Sequence, residues 1–289
     1  MSSFKLKAPA KINLCLRVLG KRTDGFHDID SVFQQISLFD TITFEYSDQL
    51  ILTCDGEACG PVEQNLVIKA ADLLRRKYSV TAGASIHLDK QIPAGAGLGG
   101  GSSDAATALV GLSRLWGLDR SAAKGKDCEL HALAGQLGSD VPFFLYGPAA
   151  KVFGRGEVVV PFEPGNSFHI LLVKPDCSVS TAWAYQNLLL TNRPRNSRLT
   201  CSSTAGGDIA EVASGLWNDF EQTVFKRFPE IQEIKSRLLS AGALGAVMSG
   251  SGSSVVGMFD SHDRAVMASK EFGRLWNVTA ETLTKSVLD

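Results

Sequence analysis

The spacing of apolar positions changes period repeatedly along this chain. Residues 4–19 alternate loosely between apolar and polar, which predicts a strand. Residues 29–46 predict two strands with a turn near Phe39-Asp40; Ile42, Phe44 and Tyr46 alternate as a half-buried strand does. Over 65–77 the apolar positions recur at helical spacing, and Asn65 offers an N-cap. Residues 84–89 alternate again and run into a glycine-rich segment. Behind it Ala105, Ala106, Leu109, Leu112 and Trp116 form one helical face that Gly117 would stop. A second helix is predicted over 128–137, ended by Gly138, with strands near 149–153, 157–162 and 168–174. Pro161, Pro164 and Gly165 mark a junction, dividing the chain into residues 1–160 and 161–289. The pattern is helical over 208–240. Two apolar runs over 245–259 flank a Gly-Ser-Gly-Ser turn, as in a hairpin. A helix over 262–275 and a strand over 278–284 complete the chain. This mixed order predicts an α+β protein rather than a doubly wound parallel sheet.

Composition narrows the classes. A length of 289 residues suits two domains or one large one, and 44% hydrophobic with 20% charged residues is ordinary for an enzyme with a sizeable core. A net charge of −1 gives no field for nucleic acid or an anionic membrane. The basic cluster Arg193 to Arg198 is short, lacks interleaved aromatics and reads as a solvated turn. The six cysteines form no C-x-x-C pair and have no histidine at metal-ligand spacing, so reduced thiols are expected. The first apolar run is short and broken by Arg17, unlike a signal peptide or a membrane span. A cytoplasmic protein without nucleic-acid or membrane partners is the expectation, as a monomer or homodimer.

The chemistry starts at Pro93-Ala94-Gly95-Ala96-Gly97-Leu98-Gly99-Gly100-Gly101-Ser102-Ser103. Glycine lets a ligand approach the main chain, and a helix start presents unpaired N–H groups with partial positive charge. A glycine loop feeding a helix is therefore an anion site, most often for phosphate. The Walker loop is excluded because no lysine follows the glycines. The dinucleotide fingerprint matches formally at Gly95, Gly97 and Gly100, with Asp119 at about the right distance beyond. A protein-kinase glycine loop would need a hairpin and a lysine on the next strand. A lysine-free loop that holds a triphosphate on backbone N–H groups remains. Ser102 or Ser103 would touch a phosphate or help hold Mg²⁺, a hard ion that takes oxygen ligands, or would simply cap the helix.

The run from Pro93 to Ala106 closely resembles the second motif of the GHMP small-molecule kinases. Pro9-Ala-Lys-Ile-Asn-Leu14 with Asp24-Gly-Phe-His27 resembles the N-terminal motif of one member, and Gly250-Ser-Gly-Ser253 resembles the third glycine motif. The resemblance implies two α+β domains with the active site in the cleft between them. It also implies Mg²⁺- and ATP-dependent phosphorylation of a hydroxyl on a cytidine diphosphate-linked methylerythritol, a small-molecule substrate of non-mevalonate isoprenoid synthesis. A non-catalytic metabolite-binding relative and a nicotinamide-dependent oxidoreductase are the competing readings.

The resemblance also assigns roles. Lys11 and Asp140 match the family's lysine–aspartate pair: Asp140 would accept the proton of the attacking hydroxyl, and Lys11 would orient it and offset phosphoryl charge. Taken alone, Asp140 before Pro142 reads as a helix cap and Lys11 as a solvated strand lysine. Asn13, Phe26 and His27 match substrate contacts, with His27 at the cytosine edge. Phe26 stands where tyrosine is usual and keeps only the stacking face. Tyr185 is the candidate second aromatic, with Trp183 its competitor and core packing its plain alternative. Asn65 and Lys69 would lie on the adenine side; Asn65 is equally an N-cap.

Overall fold

The computed structural model describes residues 3–56, 59–118, 128–188 and 207–288. Asp119, Cys201 and the Arg193–Arg198 cluster lie outside the described residues.

The chain opens with two long strands, β1 (Phe4–Lys21) and β2 (His27–Ser47), paired antiparallel almost end to end. The turn expected at Phe39-Asp40 is absent and β2 runs straight through. Pairing instead jumps from Pro9↔Phe39 to Ala10↔Ile36, so an irregularity kinks the ribbon there. Asp40 is fully buried at this point. Its polarity marks a tether, not a turn. The carboxylate accepts N–H bonds from Gln91 (2.6 Å) and Ile92 (2.8 Å), fixing the segment before the glycine loop to the strand.

β3 (Leu50–Asp55), α1 (Leu66–Tyr78), β4 (Gly83–Asp89) and α2 (Gly100–Leu115) follow, then α3 (Cys128–Leu137), α4 (Val141–Tyr146), β5 (Ala149–Gly154) and β6 (Val158–Pro161). β2 is long because it has two partners beyond β1: Ile29–Gln34 pairs with β5, and Thr41–Ser47 pairs with β4. The first sheet has the path β3-β4-β2-β1, with β5 and β6 branching from β2. β4 feeds the glycine loop yet lies antiparallel to β2, unlike the all-parallel dinucleotide fold.

The remaining elements are β7 (His169–Lys174), α5 (Thr181–Gln186), α6 (Ile209–Ser214), β8 (Trp217–Asn218), α7 (Glu221–Arg227), α8 (Pro229–Ser240), β9 (Gly245–Met248), β10 (Val255–Phe259), α9 (His262–Ser269) and β11 (Trp276–Glu281). The second sheet has order β11-β7-β10-β9 and is antiparallel throughout. The predicted hairpin over 245–259 is β9 and β10. The single helical stretch over 208–240 is three helices, interrupted where β8 crosses to pair with Cys15 and Leu16 of β1. The helix expected over 262–275 ends early, in a 3₁₀ turn at Lys270–Phe272. β3, α4 and α5 were not predicted.

The thiols also differ from expectation. Cys54 and Cys59 are joined in a disulfide, their Cα atoms 6.0 Å apart, and Cys15 is disulfide-bonded as well. The end of β3 brings Cys54 back to Cys59 across a short loop, a proximity that the C-x₄-C spacing does not advertise.

One core cluster positions the site. Ile92, Ala96 and Leu98 are buried together with Ala10, Ile12 and Leu14 of β1 and with Ile170, Leu172, Val247 and Val256 of the second sheet. The apolar residues of the glycine loop thus anchor it against both sheets. Burying Leu98 contributes about 1.5–3 kcal/mol, which a flexible linker would forgo.

Candidate active site

Gly95, Gly97 and Gly99 all have positive φ (61°, 76° and 70°), which winds the loop tightly before α2. At Gly97 a Cβ would lie 2.1 Å from the Ser249 carbonyl oxygen, so only glycine fits between this loop and the turn after β9. Gly99 stands at the N-cap position of α2, where no side chain caps the helix. The first N–H groups of α2 are therefore left to a ligand.

The loop forms one wall of a cleft of about 490 Å³. Pro93 through Ser102, Asn65 and Lys90 line one end; Lys11, Asn13, Asp140, Arg155, Tyr185, Gly250 and Ser251 line the rest. Ser103 is not among the lining residues. It is fully buried in α2, with its Oγ lacking a hydrogen-bond partner. The helix turns Ser102 toward the cleft and Ser103, the expected metal contact, into the core.

Lys11 and Asp140 meet although 129 positions separate them: Nζ lies 3.7 Å from Oδ2. β1 carries Lys11 into the interior, and its amide donates to the Leu98 carbonyl (2.9 Å), locking strand to loop. Burial pulls the Lys11 ammonium below the ordinary lysine range, and the Asp140 charge opposes that fall. Lys11 also donates to Asn13 Oδ1 (2.7 Å) and lies 4.5 Å from the Phe33 ring centroid. Asp140 occupies the N-cap position of α4, with Pro142 in the first turn, but its side chain makes no capping bond. The capping explanation of this aspartate fails, and its carboxylate faces the cleft.

Asn13 is more a tie than a free hand. Its Oδ1 accepts from Lys11 Nζ and from the Gly250 amide (3.0 Å), and its Nδ2 donates to Ser31 Oγ (3.0 Å). One N–H remains for a ligand. Ser249 Oγ donates to the Gly97 carbonyl (2.9 Å), which joins the third glycine motif to the second.

At the rim, His27 stacks on Tyr185, with centroids 4.9 Å apart and planes 26° from parallel. Desolvation, then Lys21, lowers the His27 pKa. Tyr185 also meets Phe220 edge-on, while Trp183 packs against Phe228. Of the two competing aromatics, Tyr185 is the one that reaches the cleft. Burial and then the Asp140 charge push its phenol up to about 12. Phe26 is half-exposed beneath Arg155, whose guanidinium lies 4.7 Å from the ring centroid. Neither Phe26 nor His27 lines the cleft proper. Asn65 does, and it caps α1 by accepting from the Val67 amide (2.9 Å). Lys69 does not.

Sequence reasoning missed two supports. Lys90 Nζ bridges Asp40 (2.5 Å) and Asp104 (2.7 Å) beneath the loop. Burial, opposed by Lys90 and reinforced by Asp40, raises the Asp104 carboxyl to about 7. Asn218 of β8 donates to the Met248 and Gly250 carbonyls (2.6 and 2.7 Å), pinning the third glycine motif. An acid in the middle of a strand and an asparagine breaking a helical pattern were the available signals.

An uncapped helix start across a cleft from a buried lysine paired with a carboxylate is the arrangement of a small-molecule kinase. The chain belongs to the GHMP kinase family. Residues 65–148 match the GHMP kinases N terminal domain, and residues 203–277 match the GHMP kinases C terminal domain. It is 41% identical to the 4-diphosphocytidyl-2-C-methyl-D-erythritol kinase of Thermodesulfovibrio yellowstonii, over 96% of this chain and 98% of that protein. Identity to the protein of that name from Syntrophotalea carbinolica is 43%, over 93% and 94% of the two chains. A crystal structure of 4-(cytidine 5'-diphospho)-2C-methyl-D-erythritol kinase superposes with a TM-score of 0.75 at 34% identity, covering 96% of this chain and 99% of that one. Homoserine kinase from Cytophaga hutchinsonii, at 19% identity and a TM-score of 0.74, shares the fold.

Proposed function

We propose that this GHMP kinase transfers the γ-phosphoryl group of ATP to the 2-hydroxyl of 4-diphosphocytidyl-2-C-methyl-D-erythritol. The products are the 2-phosphate and ADP, in non-mevalonate isoprenoid synthesis. The observation that carries this reading is the Lys11–Asp140 pair, 3.7 Å apart on the wall of the glycine-loop cleft. Relatives of that name at 41% and 43% identity supply the substrate.

In this reading the N–H groups of the loop and the α2 start hold the triphosphate, with adenine toward Asn65. The substrate's cytidine end lies toward His27, Phe26 and Tyr185. The 2-hydroxyl oxygen bonds to the γ-phosphorus as the β,γ-bridging P–O bond breaks; Asp140 takes the hydroxyl proton, and ADP leaves. Lys11 orients Asp140 and offsets charge on the moving phosphoryl group. The cleft-facing hydroxyl of Ser102 suits Mg²⁺ better than the buried Ser103 does. When bound, that ion would neutralise phosphate charge.

The domain division at 160/161 belongs to the same proposal, although β8 adds a later segment to the first sheet. So do a cytoplasmic location and a monomeric or homodimeric state; among the described residues no helix is long and apolar enough to cross a membrane. A non-catalytic metabolite binder has no use for a buried lysine paired with a carboxylate, and the antiparallel pairing of β4 with β2 disfavours the oxidoreductase. ADP release measured with and without the cytidyl substrate tests the proposal. Substrate-dependent ADP is expected; tight substrate binding without ADP would overturn it.

A further inference from the structure

Away from the cleft, three metal-binding side chains meet at one end of the second sheet. His169 opens β7, Glu281 closes β11, and the two are direct cross-strand partners. β10 ends opposite them at Phe259↔His169, and three residues later His262 begins α9. One ligand atom from each of His169, His262 and Glu281 lies within 4.8 Å of the other two. None of the three lines the catalytic cleft.

Several details favour a bound cation over a chance meeting. His169 Nδ1 is buried yet has no hydrogen-bond partner, although Glu281 Oε1 lies only 3.3 Å away. That separation is what two ligands of a tetrahedral Zn²⁺ show when each bond is about 2.0–2.1 Å. The backbone is already set: the Thr282 amide donates to the Phe168 carbonyl (3.0 Å), and the Phe168 amide donates to Thr282 Oγ1 (2.8 Å). The Glu281 amide is held by Ser37 Oγ (2.9 Å). The nearest arginine on α9, Arg264, is engaged with Asp260 (3.0 Å). Two imidazoles and one carboxylate form a donor set for Zn²⁺ and its borderline neighbours, not for Mg²⁺.

We infer that His169, His262 and Glu281 form a second metal site, which takes Zn²⁺ or a similar divalent transition ion with water in the remaining position. The ion would staple β7 and β11 to the start of α9. It would act through stability rather than phosphoryl transfer, since a ligand that binds only the folded state raises the melting temperature.

The test is calorimetric titration of untagged full-length protein with Zn²⁺, in excess Mg²⁺. About one Zn²⁺ per chain is expected, at micromolar affinity and with a rise in Tm. His262→Ala and Glu281→Gln alter exposed positions, and each is expected to weaken binding about tenfold or more. Co²⁺ substitution is expected to give a visible spectrum without a thiolate charge-transfer band. No saturable binding by the wild type, equal binding by both variants, or a thiolate band would each overturn the assignment.

Discussion

Asp140→Asn keeps the shape of the side chain and removes its charge and its basicity. Two separable effects follow, and their sizes differ. The first is on stability. At 3.7 Å from Lys11 Nζ, the ion pair is worth about 4 kcal/mol at an effective dielectric of about 20. Asp140 is 33% exposed, so solvent screening brings the net value to about 1–2 kcal/mol. Lys11 also keeps its bond to Asn13, so the ammonium is not stranded. A fall in Tm of a few degrees is expected. The second effect is on the reaction. Loss of a general base lowers turnover by about 10²–10⁴-fold, equivalent to about 3–5 kcal/mol of barrier. The glycine loop is untouched, so affinity for a non-hydrolysable ATP analogue should stay within about threefold. The assay is steady-state ADP release at saturating substrate, with analogue titration and thermal melting on the same preparation. A folded variant whose kcat lies within tenfold of wild type would remove Asp140 from the mechanism.

Gly97→Ala would force a Cβ to 2.1 Å from the Ser249 carbonyl at a φ of 76°, so a loss of about 2–4 kcal/mol and weakened ATP-analogue binding are expected; an unchanged denaturation midpoint with normal affinity would contradict this packing. Asp104 has a folded pKa raised to about 7 from 3.8, so its contribution to stability is present at low pH and is lost as pH rises toward and through 7. Asp104→Asn should therefore match wild type in Tm near pH 3 and surpass it increasingly as pH rises to 8; a Tm difference constant across that range would refute the shift. Asn218→Ala strips donors from the Met248 and Gly250 carbonyls and an acceptor from the Phe220 amide, and about 2–4 kcal/mol should be lost in urea denaturation. A loss under about 0.5 kcal/mol would mean the third glycine motif holds itself.

The site was legible where chemistry constrains sequence locally. The run from Pro93 to Ser103 announced a glycine loop because helix start and glycine pattern are contiguous, and Asn65 announced a cap for the same reason. What could not be read were the effects of tertiary pairing. Asp40 resembled a turn residue because its partners, the amides of Gln91 and Ile92, lie about fifty positions away. Asn218 broke a helical pattern only because β1 offers an edge to β8. Ser102 and Ser103 are equivalent on paper; the phase of α2 decides that one faces the cleft and the other the core. The disulfide at Cys54 and Cys59 depends on where β3 ends, not on spacing.

The local rules of folding are broken together along one cleft. Gly99 leaves α2 without a side-chain cap, where a serine or aspartate would contribute about 0.5–2 kcal/mol. Asp140 stands at a cap position and does not cap. Lys11 holds a charge in the interior against its desolvation. Asp104 Oδ1, on a residue that borders the cleft, is buried without a partner. Each of these costs stability, and each sets a donor, an acceptor or a charge beside the place where a triphosphate and an attacking hydroxyl would have to meet. A fold selected for stability alone would have filled these positions with caps and apolar side chains, as it does elsewhere in α1 and α6. Their concentration around Lys11, Asp140 and the glycine loop is the physical reason to place the chemistry there.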